Sequence, residues 1–162
     1  MMTYTCIYED PQGNIVVAPD CDFLSSVFDQ PAVVWDKSPN AEAAIKLVVL
    51  NPDRDLPALY HCDSKGFRYA LTDGALTLLI KQPVDGRFFM MIDEDCAVDP
   101  AHNGETMVSH CGGNPFPIDP TYTVNREMAR RIALEFAVKR VRPEFCEWRA
   151  FEKMNVDWDK YL

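Results

Sequence analysis

The amino-acid sequence predicts an α+β fold. We expect one domain, in which a short N-terminal helix and a long C-terminal amphipathic helix pack on an antiparallel meander sheet. Strand-forming segments joined by turn residues fill the middle of the chain, and helical patterns lie towards its two ends. The length of 162 residues is that of one domain, so we predict a single unit over residues 1–162.

The first 40 residues predict two strands, a short helix and an extended piece, in the order 3–8, 15–18, 22–30 and 33–36. The first strand is rich in β-branched and aromatic residues, and a Pro-Gln-Gly-Asn turn separates it from the second. Asp20 or Asp22 provides the N-cap of the helix, whose apolar residues recur at helical spacing and predict one buried face.

The middle of the chain predicts an antiparallel meander up to about residue 111. Apolar segments alternate with turn sequences such as Asp-Ser-Lys-Gly and Asp-Gly, which are typical of hairpins. The predicted strands span 45–50, 58–62, 67–71, 75–81, 87–92 and 106–110. The strand over 75–81 is the most apolar, so we predict it at the centre of the sheet.

The C-terminal third predicts a proline-rich extended segment over 114–120 and then the clearest helix, over 126–141. Asn125 is a good N-cap, and large apolar residues and alanines form two adjacent rows on one face of this helix. Pro143 ends it. These features predict a helix that lies close on the sheet.

Three aromatic residues, Phe145, Trp148 and Phe151, follow the helix at a spacing of three. They suit either a short helical turn or an extended segment laid on the core. Burial of each would contribute about 1.5–3 kcal/mol, so we predict Trp148 as a core anchor. The sequence leaves the order of the tail, residues 152–162, open.

The net charge of −9 is unevenly distributed. Residues 1–124 carry 18 acids and 7 bases, whereas residues 125–162 carry 7 acids and 9 bases. An acidic body repels phosphate backbones and attracts basic proteins, so we expect a protein partner and no nucleic acid. No apolar run approaches the ~20 residues of a membrane span, and the first ten residues lack Lys and Arg. We therefore expect a cytoplasmic protein without a membrane partner.

Four acids lie close together between two predicted strands: Asp93, Glu94, Asp95 and Asp99. The simplest interpretation is a solvated loop. A cation site is a second, but the glycine and terminal glutamate of a calcium loop are out of register, so we predict no metal. The third is a negative surface for a basic partner, and it makes these four acids our candidate contact residues.

Two of the six cysteines directly follow histidines, as His61-Cys62 and His110-Cys111. Neighbouring residues on a strand point to opposite faces, so one such pair cannot easily hold one metal ion. A zinc site built from both pairs, or a Cys111 nucleophile presented by the glycines after it, is the alternative: a small cytoplasmic enzyme. The sequence carries no nucleotide-binding glycine motif and no recognised nucleophile or zinc-protease motif. We therefore predict a binding protein without catalytic residues or a cofactor.

Residues 106–148 carry a series of short motifs in a fixed order. They are Ser109-His110-Cys111-Gly112-Gly113, Pro117, a helix with Ala133 and Glu135-Phe136, Arg142-Pro143-Glu144, and Glu147-Trp148. This order resembles the immunity-protein family numbered first among those of bacterial polymorphic toxin systems. A glycine that often stands shortly before the Arg-Pro pair is replaced here, where Arg140 and Val141 stand.

The resemblance implies a function in binding. Members of this family are similar to the inhibitor that protects a bacterium from its own double-stranded-DNA cytosine deaminase toxin. It implies that the chain is an immunity protein that binds a secreted toxin, such as a deaminase, and occludes its active site. The matching residues Phe136, Arg142, Pro143 and Trp148 are then fold-defining, and the toxin-facing residues lie elsewhere.

Overall fold

The central feature of the fold is a twisted antiparallel sheet, with helices on one face and a hairpin and the C-terminal tail on the other. The computed structural model describes residues 4–31, 35, 42–50, 60–62, 68–71, 76–81, 85–111 and 114–161. Their arrangement confirms the predicted α+β class, with a short N-terminal and a long C-terminal helix.

The described strands are β1 (Tyr4–Glu9), β2 (Ile15–Val17), β3 (Glu42–Leu50), β4 (Tyr60–Cys62), β5 (Arg68–Leu71), β6 (Thr77–Lys81), β7 (Phe89–Ile92), β8 (Asp95–Val98), β9 (Met107–Cys111), β10 (Asn114–Ile118) and β11 (Glu147–Ala150). The helices are α1 (Cys21–Val27) and α2 (Arg126–Lys139). Short 3-10 turns cover Pro120–Tyr122, Phe151–Lys153 and Trp158–Tyr161.

The main sheet follows the order β11-β8-β7-β6-β3-β1-β2, and its pairs are antiparallel. Strand β3 is long enough to have two partners on one side: residues 42–46 pair with β6, and residues 48–50 pair with β5, which also pairs with β4. The segment β6-β7-β8 is a meander. Strand β6 lies between β7 and β3, which confirms its predicted central position.

The helix-facing core follows from strand alternation. Successive strand residues point to opposite faces, so alternate apolar residues such as Tyr8, Ile45 and Met90 meet the helices. Both helices have the predicted caps: Asp20 Oδ1 accepts from Phe23 N at 2.7 Å, and Asn125 Oδ1 accepts from Met128 N at 2.8 Å. Both caps satisfy backbone N–H groups that a helix start leaves unpaired.

Helix α2 ends two residues before its predicted end. Arg140 has a left-handed backbone with φ 59°, and its N–H donates to Phe136 O at 2.7 Å. Glycine is the usual residue in this conformation, so Arg140 stands at a position that glycine would suit. The following Arg142 precedes a proline, which disfavours helical dihedral angles and keeps the helix from continuing.

Strands β8, β10 and β11 were not predicted as strands. Strand β8 lies within the segment 93–106, which we had expected to be one loop, so the predicted acidic loop is wrong in that part. Strand β9 does not continue the meander but pairs with β10 in a separate two-stranded sheet. Strand β10 can contain Pro115 and Pro117 because its other edge has no strand partner among the described residues. Strand β11 joins the outer edge of the main sheet at β8.

The remaining differences concern single segments. Trp35, predicted within an extended piece, is helical and fully buried, and the rest of 33–36 lies outside the described residues. The predicted turns at 63–66 and 73–74 also lie outside them. Phe145 and Trp148 pack on the helix-facing core, whereas Phe151 packs on the opposite face. The three aromatic residues therefore do not form one row, because the chain passes the sheet edge as β11 between them.

Candidate functional site

The four candidate acids occupy different environments. Asp93 and Glu94 form the exposed turn between β7 and β8, and Asp93 has φ 59°, which aspartate tolerates better than most residues. Asp95 begins β8 and Asp99 follows its end. The four acids therefore do not form one cluster in the structure. Asp93 and Glu94 are exposed without an ion pair among the described residues, whereas Asp95 and Asp99 each form an ion pair with an arginine.

Asp95 is tied to the family-like motif at the end of α2. Its Oδ2 lies 2.5 Å from Arg142 Nη1, and the Arg142 guanidinium lies 5.5 Å from the centre of the Trp148 ring. Trp148 Nε1 in turn donates to the carbonyl of the buried Pro143 at 2.8 Å. Together with Phe136, which is fully buried beneath α2, these contacts link the helix end, β11 and β8.

Asp99 has a structural partner as well. Arg87 Nη2 donates to Asp99 Oδ2 at 3.1 Å and to Thr123 O at 2.9 Å, and Arg87 Nε donates to Thr123 Oγ1 at 2.8 Å. The Arg87 side chain is 14% exposed. A charged donor that is largely buried needs its acceptors, so we assign Asp99 to this internal network rather than to a free surface.

The distribution of ion pairs leaves acids in excess on the surface. Among side chains described in the first 124 residues, the three bases are each paired: Lys46 with Glu9, Lys81 with Glu42 and Arg87 with Asp99. Besides Asp20, whose carboxylate caps α1, five exposed acids have no basic partner among the described residues: Asp22, Asp85, Asp93, Glu94 and Glu105. The outward charge of this part of the chain is therefore negative.

An aromatic cluster lies on the face of the sheet opposite the helices. Phe116 of β10 stacks on Phe151 at a centroid distance of 6.3 Å and an interplanar angle of 12°. The centre of the Trp158 ring lies 6.3 Å from that of Phe116 and 5.9 Å from that of Phe151. Phe89 of β7 contacts Phe116 and Phe151 edge to face. Phe89 is buried, whereas Trp158 remains 38% exposed.

Exposed acidic residues are next to members of this cluster in the chain. Asp157 and Asp159 flank Trp158 in the chain, and Glu152 follows Phe151. The N–H of Phe151 donates to Glu94 O at 2.8 Å, which places the β7–β8 turn next to the cluster. We call the rings Phe116, Phe151 and Trp158 with the carboxylates Glu94, Glu152, Asp157 and Asp159 the Trp158 surface. None of these residues was among the predicted contact residues except Glu94, although the Asp-Trp-Asp tripeptide is a visible signal of an aromatic residue with acidic neighbours.

The Cys–His alternative gains no support from the described residues. His61 and Cys62 lie in β4, while His110 and Cys111 lie in β9 of the other sheet, and their side chains lie outside the described part of the structure. Within that part, no group of three or more His, Cys, Asp or Glu residues is placed to hold a metal ion. Cys6 is buried, and its thiol donates to Ala137 O at 3.4 Å.

Burial makes three of the described thiols poor nucleophiles. It raises the pKa of Cys96 to about 12, with the neighbouring Asp95 carboxylate adding to the effect. Burial also raises the pKa of Cys6, against the influence of Arg140, and that of Cys146, against Arg142 and Arg131. The thiolate is the reactive form, so these residues are mainly unreactive neutral thiols near neutral pH.

We therefore expect unequal thiol alkylation in the native protein. The exposed Cys21 is expected to react with iodoacetamide at pH 8 at least about a thousandfold faster than Cys96, because so little of a thiol with a pKa near 12 is ionised there. Mass spectrometry of timed samples gives the rate at each cysteine, and unfolded protein is the control. Labelling of Cys96 at the rate of Cys21 would contradict the buried position, and rapid labelling of Cys62 or Cys111 would favour the enzyme alternative.

Comparison with known proteins gives no match to a family model, to a curated protein or to a solved structure. The resemblance to the immunity proteins therefore stays a prediction that depends on the motifs of residues 106–148. Among the described residues, no helix combines the length and the apolar character that crossing a membrane requires.

Proposed function

We propose that this chain is a cytoplasmic immunity protein that binds and occludes the active site of a cognate secreted toxin domain. The toxin acts on nucleic acid, and a deaminase is the expected class. Such a toxin presents a basic surface near its active site, because its substrate is a polyanion. An acidic inhibitor competes for that surface by offering carboxylates where phosphates would bind.

The observation that carries the proposal is the imbalance in ion pairing. The described bases of the first 124 residues are engaged inside the molecule, while five exposed acids are not. These acids lie on α1, in two turns and in the β8–β9 loop, so the described surface carries unpaired negative charge at four separate places. A field of this kind speeds the encounter with an oppositely charged protein and suppresses other partners.

Binding is the activity that these residues suit. Burial raises the pKa of the Cys6, Cys96 and Cys146 thiols and makes them weak nucleophiles, and the residues of the family-like motif are in contacts that hold α2, β8 and β11 together. A tight inhibitor needs an interface of roughly 1,600 Å² in total, with apolar anchors inside a polar rim. We accordingly assign the motif residues to the fold and the toxin contact to other surfaces.

The test is a pull-down of the product of the adjacent upstream gene with the tagged chain, followed by co-expression. We expect a toxic C-terminal domain to bind with nanomolar affinity and its toxicity to disappear when this chain is present. Isothermal titration with the purified domain gives the dissociation constant. A harmless neighbour that does not bind would overturn the proposal and leave an acidic adaptor or the Cys–His enzyme to be considered.

A further inference from the structure

We propose that the Trp158 surface is the anchor point for an arginine-bearing segment of a basic protein partner. The inference rests on the proposed function in one respect, since the toxin is the partner we expect. The central contact would be a guanidinium stacked on the exposed indole of Trp158, with the carboxylates of Asp157 and Asp159 beside it.

The first support is the chemistry of the cluster itself. On its inner side, Lys81 Nζ lies 4.5 Å from the centre of the Phe116 ring and 3.3 Å from Glu42 Oε2. A cation held between a ring and a carboxylate is therefore already part of this cluster. The outer ring, Trp158, has the aromatic face that attracts cations most strongly, and it is exposed, with an exposed aspartate on each side of it in the chain.

The second support is that the rings are held in place before binding. Phe151 is fixed by its N–H bond to Glu94 O, and Met154 between the two 3-10 turns is 5% exposed. Trp158 packs against two rings that in turn contact the buried Phe89. A preordered aromatic anchor loses little conformational freedom on binding, which is a property of interface residues that dominate affinity.

The third support is the sign of the surrounding charge. A second exposed apolar region lies at the C-terminal end of α2, where Val138 of the helix is 67% exposed and Val141, just after it, is 53% exposed. The acids of this face of α2, Glu127 and Glu135, are ion-paired with Arg130 and Lys139, and Arg131 and Arg140 add positive charge to its rim. A basic partner is repelled from that face and attracted to the Trp158 surface, where four carboxylates accompany Lys153 and Lys160.

Arginine fits this surface better than lysine. Its guanidinium is planar, so it stacks on an indole while its edge still donates two hydrogen bonds to a carboxylate. An ammonium lies over the ring as a point charge and is more strongly hydrated. We therefore expect arginine peptides to bind more tightly than lysine peptides of equal charge.

The direct test uses short peptides and the indole N–H signals of the ¹⁵N-labelled protein. The chain has three tryptophans. Trp35 is buried and Trp148 donates to Pro143 O, so Trp158 is the exposed reporter, and Trp158→Phe assigns its signal. We expect hexa-arginine to shift the Trp158 signal while those of Trp35 and Trp148 stay in place. Hexalysine should need a several-fold higher concentration, and hexaglutamate should have no effect.

Matched variants separate this contact from general attraction between opposite charges. Asp157→Asn with Asp159→Asn keeps the ring and is expected to reduce the affinity for hexa-arginine by about tenfold. Asp85→Asn with Glu105→Gln makes the same change in net charge at a cleft whose lining includes no residue of the Trp158 surface, and is expected to leave the Trp158 shift in place. Equal effects of the two double variants, or no shift at Trp158, would overturn the proposal. So would concentration-dependent self-association that Trp158→Ala abolishes, because the occupant would then be a second copy of the chain.

The toxin gives a separate readout. If a cognate toxin binds, Trp158→Ala is expected to weaken its dissociation constant by about tenfold or more, as anchor residues do, while Val138→Ala on the outer face of α2 leaves it unchanged. Toxin binding that is insensitive to Trp158→Ala overturns the anchor but not the immunity function. Absence of any toxin overturns the immunity function, and the peptide titration still decides whether the surface takes arginine.

Discussion

Replacing Phe136 by alanine is expected to lower the free energy of unfolding by about 3–5 kcal/mol, the usual cost of removing a buried phenylalanine. Phe136 is fully buried where α2 packs on the sheet, among residues from both helices and the central strands. The whole free energy of unfolding of a domain is only about 5–15 kcal/mol, so this loss would be a large fraction of it. Urea unfolding followed by circular dichroism measures the effect as a lower midpoint with an unchanged slope.

Val138→Ala provides the matched control on the same helix. Its side chain is 67% exposed, so the substitution is expected to change the stability by no more than about 0.5 kcal/mol. Alanine has a higher helix propensity than phenylalanine or valine, so helix propensity stabilises both variants. It therefore cannot explain a decrease in the free energy of unfolding. A loss below about 1 kcal/mol for Phe136→Ala would show that α2 does not pack on the sheet through this side chain.

The elements that the sequence predicts well are those whose signals are local. The cap residues Asp20 and Asn125 immediately precede their helices, and the apolar spacing in α2 identifies the face that carries Phe136. Strands β6 and β7 are apolar and bounded by turn residues, so their identity needs no knowledge of their partners. Their neighbours in the sheet follow because a short turn allows only antiparallel pairing between consecutive strands.

The strands that the sequence did not predict depend on distant partners. Strand β11 is four residues, Glu-Trp-Arg-Ala, and its pairing with β8 joins segments about fifty residues apart. Strand β10 contains two prolines, which argue against a strand unless one edge is free of ladder partners. Neither condition can be read from spacing, because both depend on where the sheet ends.

The same limit applies to the candidate contact residues. The sequence shows four acids close together, but only the register of β8 shows that Asp95 faces Arg142 on the helix side while the neighbouring Cys96 faces the other core. The rings of the Trp158 surface come from β10, from the turn after β11 and from the tail. No periodicity connects positions 116, 151 and 158, so this surface is a product of tertiary packing.

Neutralising the five unpaired acids is expected to slow association with the toxin by about tenfold or more at low salt. The variant carries Asp22→Asn, Asp85→Asn, Asp93→Asn, Glu94→Gln and Glu105→Gln. These acids have no basic partner among the described residues, so we expect little change in stability. Glu94 belongs to the Trp158 surface, but the other four lie outside it on α1, in two turns and in a loop, so most of the loss should lie in the association rate rather than in the dissociation rate.

A salt series and an opposite variant make this prediction specific. Stopped-flow rates for the variant and the native chain should converge near 1 M salt, where the Debye length falls to about 3 Å and steering is lost. Arg126→Gln with Lys153→Gln removes two exposed bases without ion pairs among the described residues and should speed association at low salt, by a smaller factor. If the five-acid variant associates at the native rate at every salt concentration, long-range attraction does not guide the encounter. Affinity would then have to come from short-range contacts, among which the exposed indole of Trp158 is the first to examine.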